Sequence, residues 1–145
     1  MYLVDTNVIS ERRKGPRADP GVTQFIDDQK HELFLPVISL GELLAGIEHI
    51  RNRGDAIQAD LLDSWYQSIK EEFTDRLLGF DIACAELWGK LMGLNGQHPV
   101  DKQIAAIAIA YDLTVVTRNV RHYQNTGARV LNPFHADLTP GASTC

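Results

Sequence analysis

Apolar positions in this chain alternate between short solid blocks and helical stripes. Tyr2-Leu3-Val4 reads as a brief buried strand that runs straight into Asp5. Residues 6–11 suit one or two helical turns, and "RRKGPRADPG" (12–21), with two prolines and two glycines, reads as a loop. Val22, Phe25 and Ile26 share one helix face. A second apolar run, "ELFLPVIS" (32–39), predicts a strand ending near Pro36. Leu40, Leu43, Leu44, Ile47 and Ile50 then form the stripe of an amphipathic helix that Gly54 stops. Ile57, Leu61, Leu62, Trp65, Ile69 and Phe73 repeat the pattern. "RLLGF" (76–80) is a third strand candidate, and residues 81–96 read as a helix with Asp81 as cap and Gly96 as stop. Residues 100–112 are helical and apolar nearly all round after the first turn, the mark of a buried helix. "LTVVT" (113–117) is a β-branched strand, 118–127 a loop or short helix, and "ARVLNPF" a weak last strand. Residues 135–145 lack a core pattern and are expected to be a flexible tail.

Strands separated by helices imply parallel pairing through right-handed crossovers. The expected class is α/β, a three-layer sandwich. In such sheets functional sites form outside the carboxyl ends of the strands.

Composition narrows the picture. The 145 residues suit one domain, and 44% hydrophobic with 23% charged residues suits an ordinary globular protein. No apolar run approaches the roughly 18 residues of a membrane span. No basic stretch leading into a long apolar one marks a signal peptide, so the expected location is the cytoplasm. Cys84 and Cys145 match neither a disulfide framework nor zinc spacing; a buried thiol and a tail thiol are expected. The net charge of −5 argues against coating nucleic acid by bulk electrostatics, but not against a nuclease whose carboxylates hold metal.

The carboxylates can now be placed. Asp5 follows the first strand, Glu42 sits a turn into the helix after the second, Asp101 begins the buried helix, and Asn119 lies two residues beyond "VVT". All four can meet at the carboxyl edge of the sheet. Each acid also has a local role open to it. Asp5 can cap the next helix, Ser39-Leu40-Gly41-Glu42 fits a capping box, and Asp101 suits a helix N-terminus. Together, however, three acids at one edge repel unless a cation lies between them, and hard oxygen donors select Mg²⁺ or Mn²⁺. That chemistry suits phosphodiester cleavage without a nucleophilic side chain. The five histidines are scattered and read as surface or structural groups.

"LVDTNVIS", "ISLGELLAGI", "VDKQIAAIAIAYDLTVVTRN" and the closing "NPF", in that order over about residues 2–134, resemble PIN-domain ribonucleases, specifically VapC-type toxins of toxin–antitoxin pairs. The resemblance implies a PIN domain over residues 1–134 with a central parallel sheet of four or five strands. It implies a Mg²⁺- or Mn²⁺-dependent endoribonuclease that inhibits translation and growth, with Asp5, Glu42 and Asp101 as its acidic triad. Asp5 and Asp101 would hold the metal directly, and Glu42 and Asn119 through water. The family's fourth position is often aspartate, so Asn119 removes one charge, and one tightly bound metal is expected. Thr6 and Thr117 match supporting hydroxyl positions. The family further implies a homodimer, a small cognate antitoxin, and contact with operator DNA only through that antitoxin.

RNA must still be drawn to an acidic chain. Arg12, Arg13, Lys14 and Arg17, and Arg118 and Arg121 flanking Asn119, are the candidate phosphate contacts, all expected near the site edge. Two alternatives remain. One is a phosphohydrolase of haloacid-dehalogenase type using Asp5, against which Asn7 stands where a second aspartate is wanted. The other is a catalytically weak PIN module that only binds a partner.

Overall fold

The computed structural model of the chain describes residues 1–138. Five parallel strands form the sheet: β1 (Tyr2–Val4), β2 (Leu33–Pro36), β3 (Leu77–Leu78), β4 (Thr114–Val116) and β5 (Arg129–Leu131), in the order β3-β2-β1-β4-β5. The connections hold six helices: α1 (Thr6–Arg12), α2 (Pro20–Gln29), α3 (Val37–Asn52), α4 (Ala56–Glu72), α5 (Ile82–Leu94) and α6 (Pro99–Ala110). The expected three-layer α/β class holds.

Successive residues of a strand point to opposite faces, and here both faces are covered. Val4 belongs to a core with Val8, Ile26, Leu43, Ile69 and Phe73, so α1–α4 pack on one face. Leu3 belongs to a second core with Cys84, Ile104, Ile107, Val115 and Tyr123, so α5 and α6 cover the other. Cys84 is thus the buried thiol; Cys145 lies outside the described residues. Register follows from the central strand: Tyr2 pairs with Leu33 and Thr114, and Val4 with Val116. No helix among the described residues is long and apolar enough to cross a membrane.

Several expectations change. The stretch 12–21 contains a 3₁₀ turn at Gly15–Arg17, and Pro20 opens α2 with Asp19 as its cap. β3 is only two residues long. Ser39-x-x-Glu42 is not a capping box, because α3 begins at Val37, directly after β2, and puts both residues inside the helix. The stripe on α4 is only partly buried: Leu62 and Ile69 enter the core, whereas Ile57 and Leu61 are 79% and 64% exposed. Of residues 135–145, His135–Leu138 form a 3₁₀ turn, and 139–145 lie outside the described residues.

That turn is fastened by one carboxylate. Asp19 accepts the backbone N–H of Gly21 (2.8 Å), Val22 (3.4 Å), His135 (2.9 Å) and Ala136 (3.0 Å). The approach is close: a Cβ on Gly21 would lie 2.2 Å from the carbonyl oxygen of Pro133. Burial works to raise the Asp19 carboxyl, but the four N–H donors outweigh it and hold the carboxyl below its ordinary value. Its contribution to stability is therefore present above the unfolded-state pKa and lost as pH falls through the folded one. Asp19→Ala should cost about 1–3 kcal/mol in urea unfolding near neutral pH, because it strands N–H donors at both ends of the chain. The deficit relative to wild type should shrink as pH falls below the ordinary aspartate value.

Candidate active site

Asp5 leaves the end of β1, where its own N–H donates to the Val116 carbonyl at 2.9 Å. Its side chain is 4% exposed. Oδ1 accepts the N–H of Thr6 at 2.7 Å, so Asp5 does cap α1. Oδ2 accepts the Thr117 hydroxyl (2.8 Å), the Tyr123 hydroxyl (3.1 Å) and, longer, the Asn7 amide (3.4 Å). Three donors crowd Oδ2 and one reaches Oδ1, so Oδ1 keeps an open lone pair for a cation.

Glu42 comes from the second turn of α3 and is held by the Thr6 hydroxyl, which donates to its Oε1 at 2.7 Å. Thr6 thus ties two acids, by its N–H to Asp5 and by its hydroxyl to Glu42. Asp101 lies in the first turn of α6, with its Oδ2 2.7 Å from His122 Nδ1. Among the described residues, Oε2 of Glu42 and Oδ1 of Asp101 accept no hydrogen bond. Asn119 is exposed and joins the cluster through its backbone, its N–H donating to the Thr117 hydroxyl at 3.0 Å.

The acids feel one another. Burial is the largest push raising the Asp5 carboxyl; the Thr117 hydroxyl draws it back, and the Asp101 charge raises it again, leaving it above its ordinary value. Glu42 stands open to solvent on one side. Its carboxyl is raised first by lost hydration and then by the charges of Asp5 and Asp101, against the pull of Thr6. Burial and the same acids push the Tyr123 phenol far up, so it stays protonated and donates to Asp5. Two raised carboxyls beside Asp101 suit a hard divalent cation, which would relieve the repulsion and draw together three acids whose ligand oxygens do not all lie within 4.8 Å of one another.

The basic candidates are dispersed. The seven residues of α1 set Arg12 about 9 Å along the axis from Thr6, away from the acidic edge. Arg12 there forms a two-pronged pair with Glu72, one prong 2.8 Å. Lys14 pairs with Glu11 (2.7 Å) and Arg118 with Asp137 (3.1 Å), while Arg13 stacks over Trp65. Arg121 is exposed and has no carboxylate partner among the described residues.

Asn7, Tyr123, His98 and His122 are the site residues that sequence reading missed. Asn7 is a cross-link: its amide donates to Thr117 Oγ1 (3.1 Å), and its Oδ1 accepts the N–H of Arg118 (3.1 Å). The position that weighed against a dehalogenase-like enzyme is thus a structural tie. "DTN" followed far downstream by "TRN" is the only signal that pointed to it.

A family profile described as a PIN domain matches residues 2–127. The chain is 35% identical to the plasmid stability protein StbB of Pseudomonas syringae pv. tomato, across 94% of this chain and 100% of that protein. It is 30% identical to the toxin FitB of Neisseria gonorrhoeae (93% and 99% covered) and 30% identical to the VapC ribonuclease Y4jK of Sinorhizobium fredii (92% and 98%). Among solved structures, FitAcB from Neisseria gonorrhoeae superposes with a TM-score of 0.80 at 30% identity, covering 93% of this chain and 99% of that one. FitAB bound to an IR36 DNA fragment also gives 0.80, at 28% identity with 93% and 96% covered.

The crowding of charge has a measurable consequence. A carboxyl raised by folding stabilises the chain while protonated and loses that contribution as pH climbs through its folded pKa. In EDTA, Glu42→Gln should therefore raise Tm near neutral pH, by no more than a few degrees because solvent screens the exposed side. Wild type should close the gap as pH falls through its raised folded pKa toward the ordinary glutamate value.

Proposed function

The chain belongs to the PIN-domain family, and on that footing we propose that it is the toxin of a toxin–antitoxin pair, a Mg²⁺- or Mn²⁺-dependent endoribonuclease. The observation that carries this reading is the meeting of Asp5, Glu42 and Asp101 at the carboxyl edge of the sheet, where the charge of Asp101 bears on both others, with one oxygen of Glu42 and of Asp101 free of hydrogen bonds and a lone pair open on Oδ1 of Asp5. Asp5 and Asp101 hold the ion directly, and Glu42 and Asn119 through water. With an amide at 119 the donor set suits one tightly held ion. When bound, that ion lowers the pKa of water and offsets charge building on the phosphodiester.

The protein's own contribution is placement. Thr117 and Tyr123 fix Oδ2 of Asp5, which orients Oδ1 outward. Thr6 sets the spacing between Asp5 and Glu42. Arg121 and Arg13, which lack carboxylate partners, are the freest to meet RNA phosphates; Arg12, Lys14 and Arg118 do so by exchanging their present partners.

A cognate antitoxin is the proposed partner. Leu44, Ile57 and Leu61 are exposed on α3 and α4, leaving apolar surface that an amphipathic segment can cover. The similarity to FitB, solved as FitAcB and as FitAB on DNA, supports a partner that mediates contact with operator DNA. The similarity to the VapC ribonuclease Y4jK supports RNA as substrate. We place its action in the cytoplasm, as a homodimer.

The test is to map RNA 5′ ends after induction. Asp5→Asn and Asp101→Asn should each lower cleavage about a hundredfold or more and relieve growth inhibition, with unchanged circular dichroism. Cleavage that survives excess EDTA would sink the metal-dependent mechanism.

A further inference from the structure

Beside the oxygen donors lie two histidines that the proposed reaction does not use, grouped with Asp101, which it does. His98 is the N-cap of α6, Asp101 stands in its first turn, and His122 comes from the 3₁₀ turn Val120–Tyr123. The two imidazole rings stack, with centroids 3.8 Å apart and planes 14° from parallel. His122 Nδ1 lies 2.7 Å from Asp101 Oδ2, and one donor atom from each of the three residues falls within 4.8 Å of the others. Among the described residues no other such group of histidine, cysteine and acidic side chains occurs. His98 holds a left-handed backbone, φ 52°, to set its ring there.

We propose that His98, Asp101 and His122 form a second cation site, one that takes an imidazole-seeking divalent ion of the Zn²⁺ class rather than Mg²⁺. Two nitrogen donors and one carboxylate match the three-ligand zinc pattern that leaves a fourth position open to water or to a phosphate oxygen. Imidazole donors discriminate against Mg²⁺, which prefers oxygen and keeps its water. A tetrahedral ion with bonds of about 2.1 Å needs donor atoms about 3.4 Å apart, so loading replaces the 2.7 Å His122–Asp101 hydrogen bond, opening that pair by under an ångström while His98 adjusts to the ion. Imidazole lone pairs lie in the ring plane, and stacking confines them to two nearly parallel planes that cannot both contain one ion. Loading therefore splays the two rings, a rotation that His98 can make because its ring is exposed. Asp101 belongs to both sites, since its charge also bears on Asp5.

The experiment uses the untagged full chain with Cys145→Ser, which removes the tail thiol as an unrelated zinc ligand. Zn²⁺ alone is the probe, titrated against a chromophoric chelator in millimolar Mg²⁺, and histidine ring resonances are followed by NMR. One Zn²⁺ per chain is expected, with two histidine rings shifting together. His98→Asn, which suits the left-handed backbone, and His122→Gln should each weaken zinc by about tenfold or more. Asp5→Asn should leave zinc within about threefold while abolishing RNA cleavage, so loss of the ribonuclease reading does not carry this site with it. Zinc affinity unchanged in both histidine variants would overturn the proposal. So would zinc binding lost as completely in Asp5→Asn, which would put the ion among the oxygen donors instead.

Discussion

The acidic centre depends on the parallel pairing of β1 with β4. Val4 is set against Val116, so the next residues, Asp5 and Thr117, leave the sheet side by side. The hydrogen bond from the Asp5 N–H to the Val116 carbonyl extends that pairing to the carboxylate itself. A slip of one residue would turn each side chain to the other face. In a strand buried on both faces, hydrophobicity alone penalises such a slip weakly, since Leu3 and Val4 are equally covered. The polar residues at the strand ends carry the discrimination: misplaced, Asp5 would lose the hydroxyls of Thr117 and Tyr123 and keep only its local donors.

How much of this was legible in the sequence depends on whether the information was local. Short apolar blocks, helical stripes and an acid just past a strand end are local signals, so the five strands, the layer order and the positions of Asp5, Glu42 and Asp101 could be read. Tyr123 could not, because a tyrosine in a loop beside apolar residues carries no mark of a partner 118 residues away. His98 and His122 were separated by a helix and a strand and were taken singly. The capping box at Ser39 failed for another reason: Pro36 ends β2 and caps α3 at once, leaving no loop. Periodicity likewise cannot say which of the apolar residues on a helix face in, and so the pattern of α4 does not separate Leu62 and Ile69, which enter the core, from Ile57 and Leu61, which stay exposed.

Local and functional roles turn out not to compete at Asp5. One oxygen caps α1 while the hydroxyls of Thr117 and Tyr123 hold the other, so a single carboxylate begins a helix and anchors the acidic edge. The arrangement sets a buried acid, a neighbouring acid on α3 and a third on α6 against one another, and the fold tolerates this because hydroxyl donors and the α1 N-terminus offset part of the repulsion. Asp19 shows the contrasting case, a carboxylate whose backbone donors outweigh its burial and hold it ionised although Glu11 and Asp137 lie near.

Asp5 emerges during synthesis well ahead of Thr117 and Tyr123, which follow 112 and 118 residues later. At roughly 5–20 residues per second, the nascent chain spends several seconds with its first carboxylate made and its anchors not yet translated. Contacts of such long sequence separation also form late in folding. A growing chain on the ribosome, surrounded by RNA, therefore carries no assembled acidic centre until its last third is out. The topology by itself imposes a delay between translation and the appearance of the site.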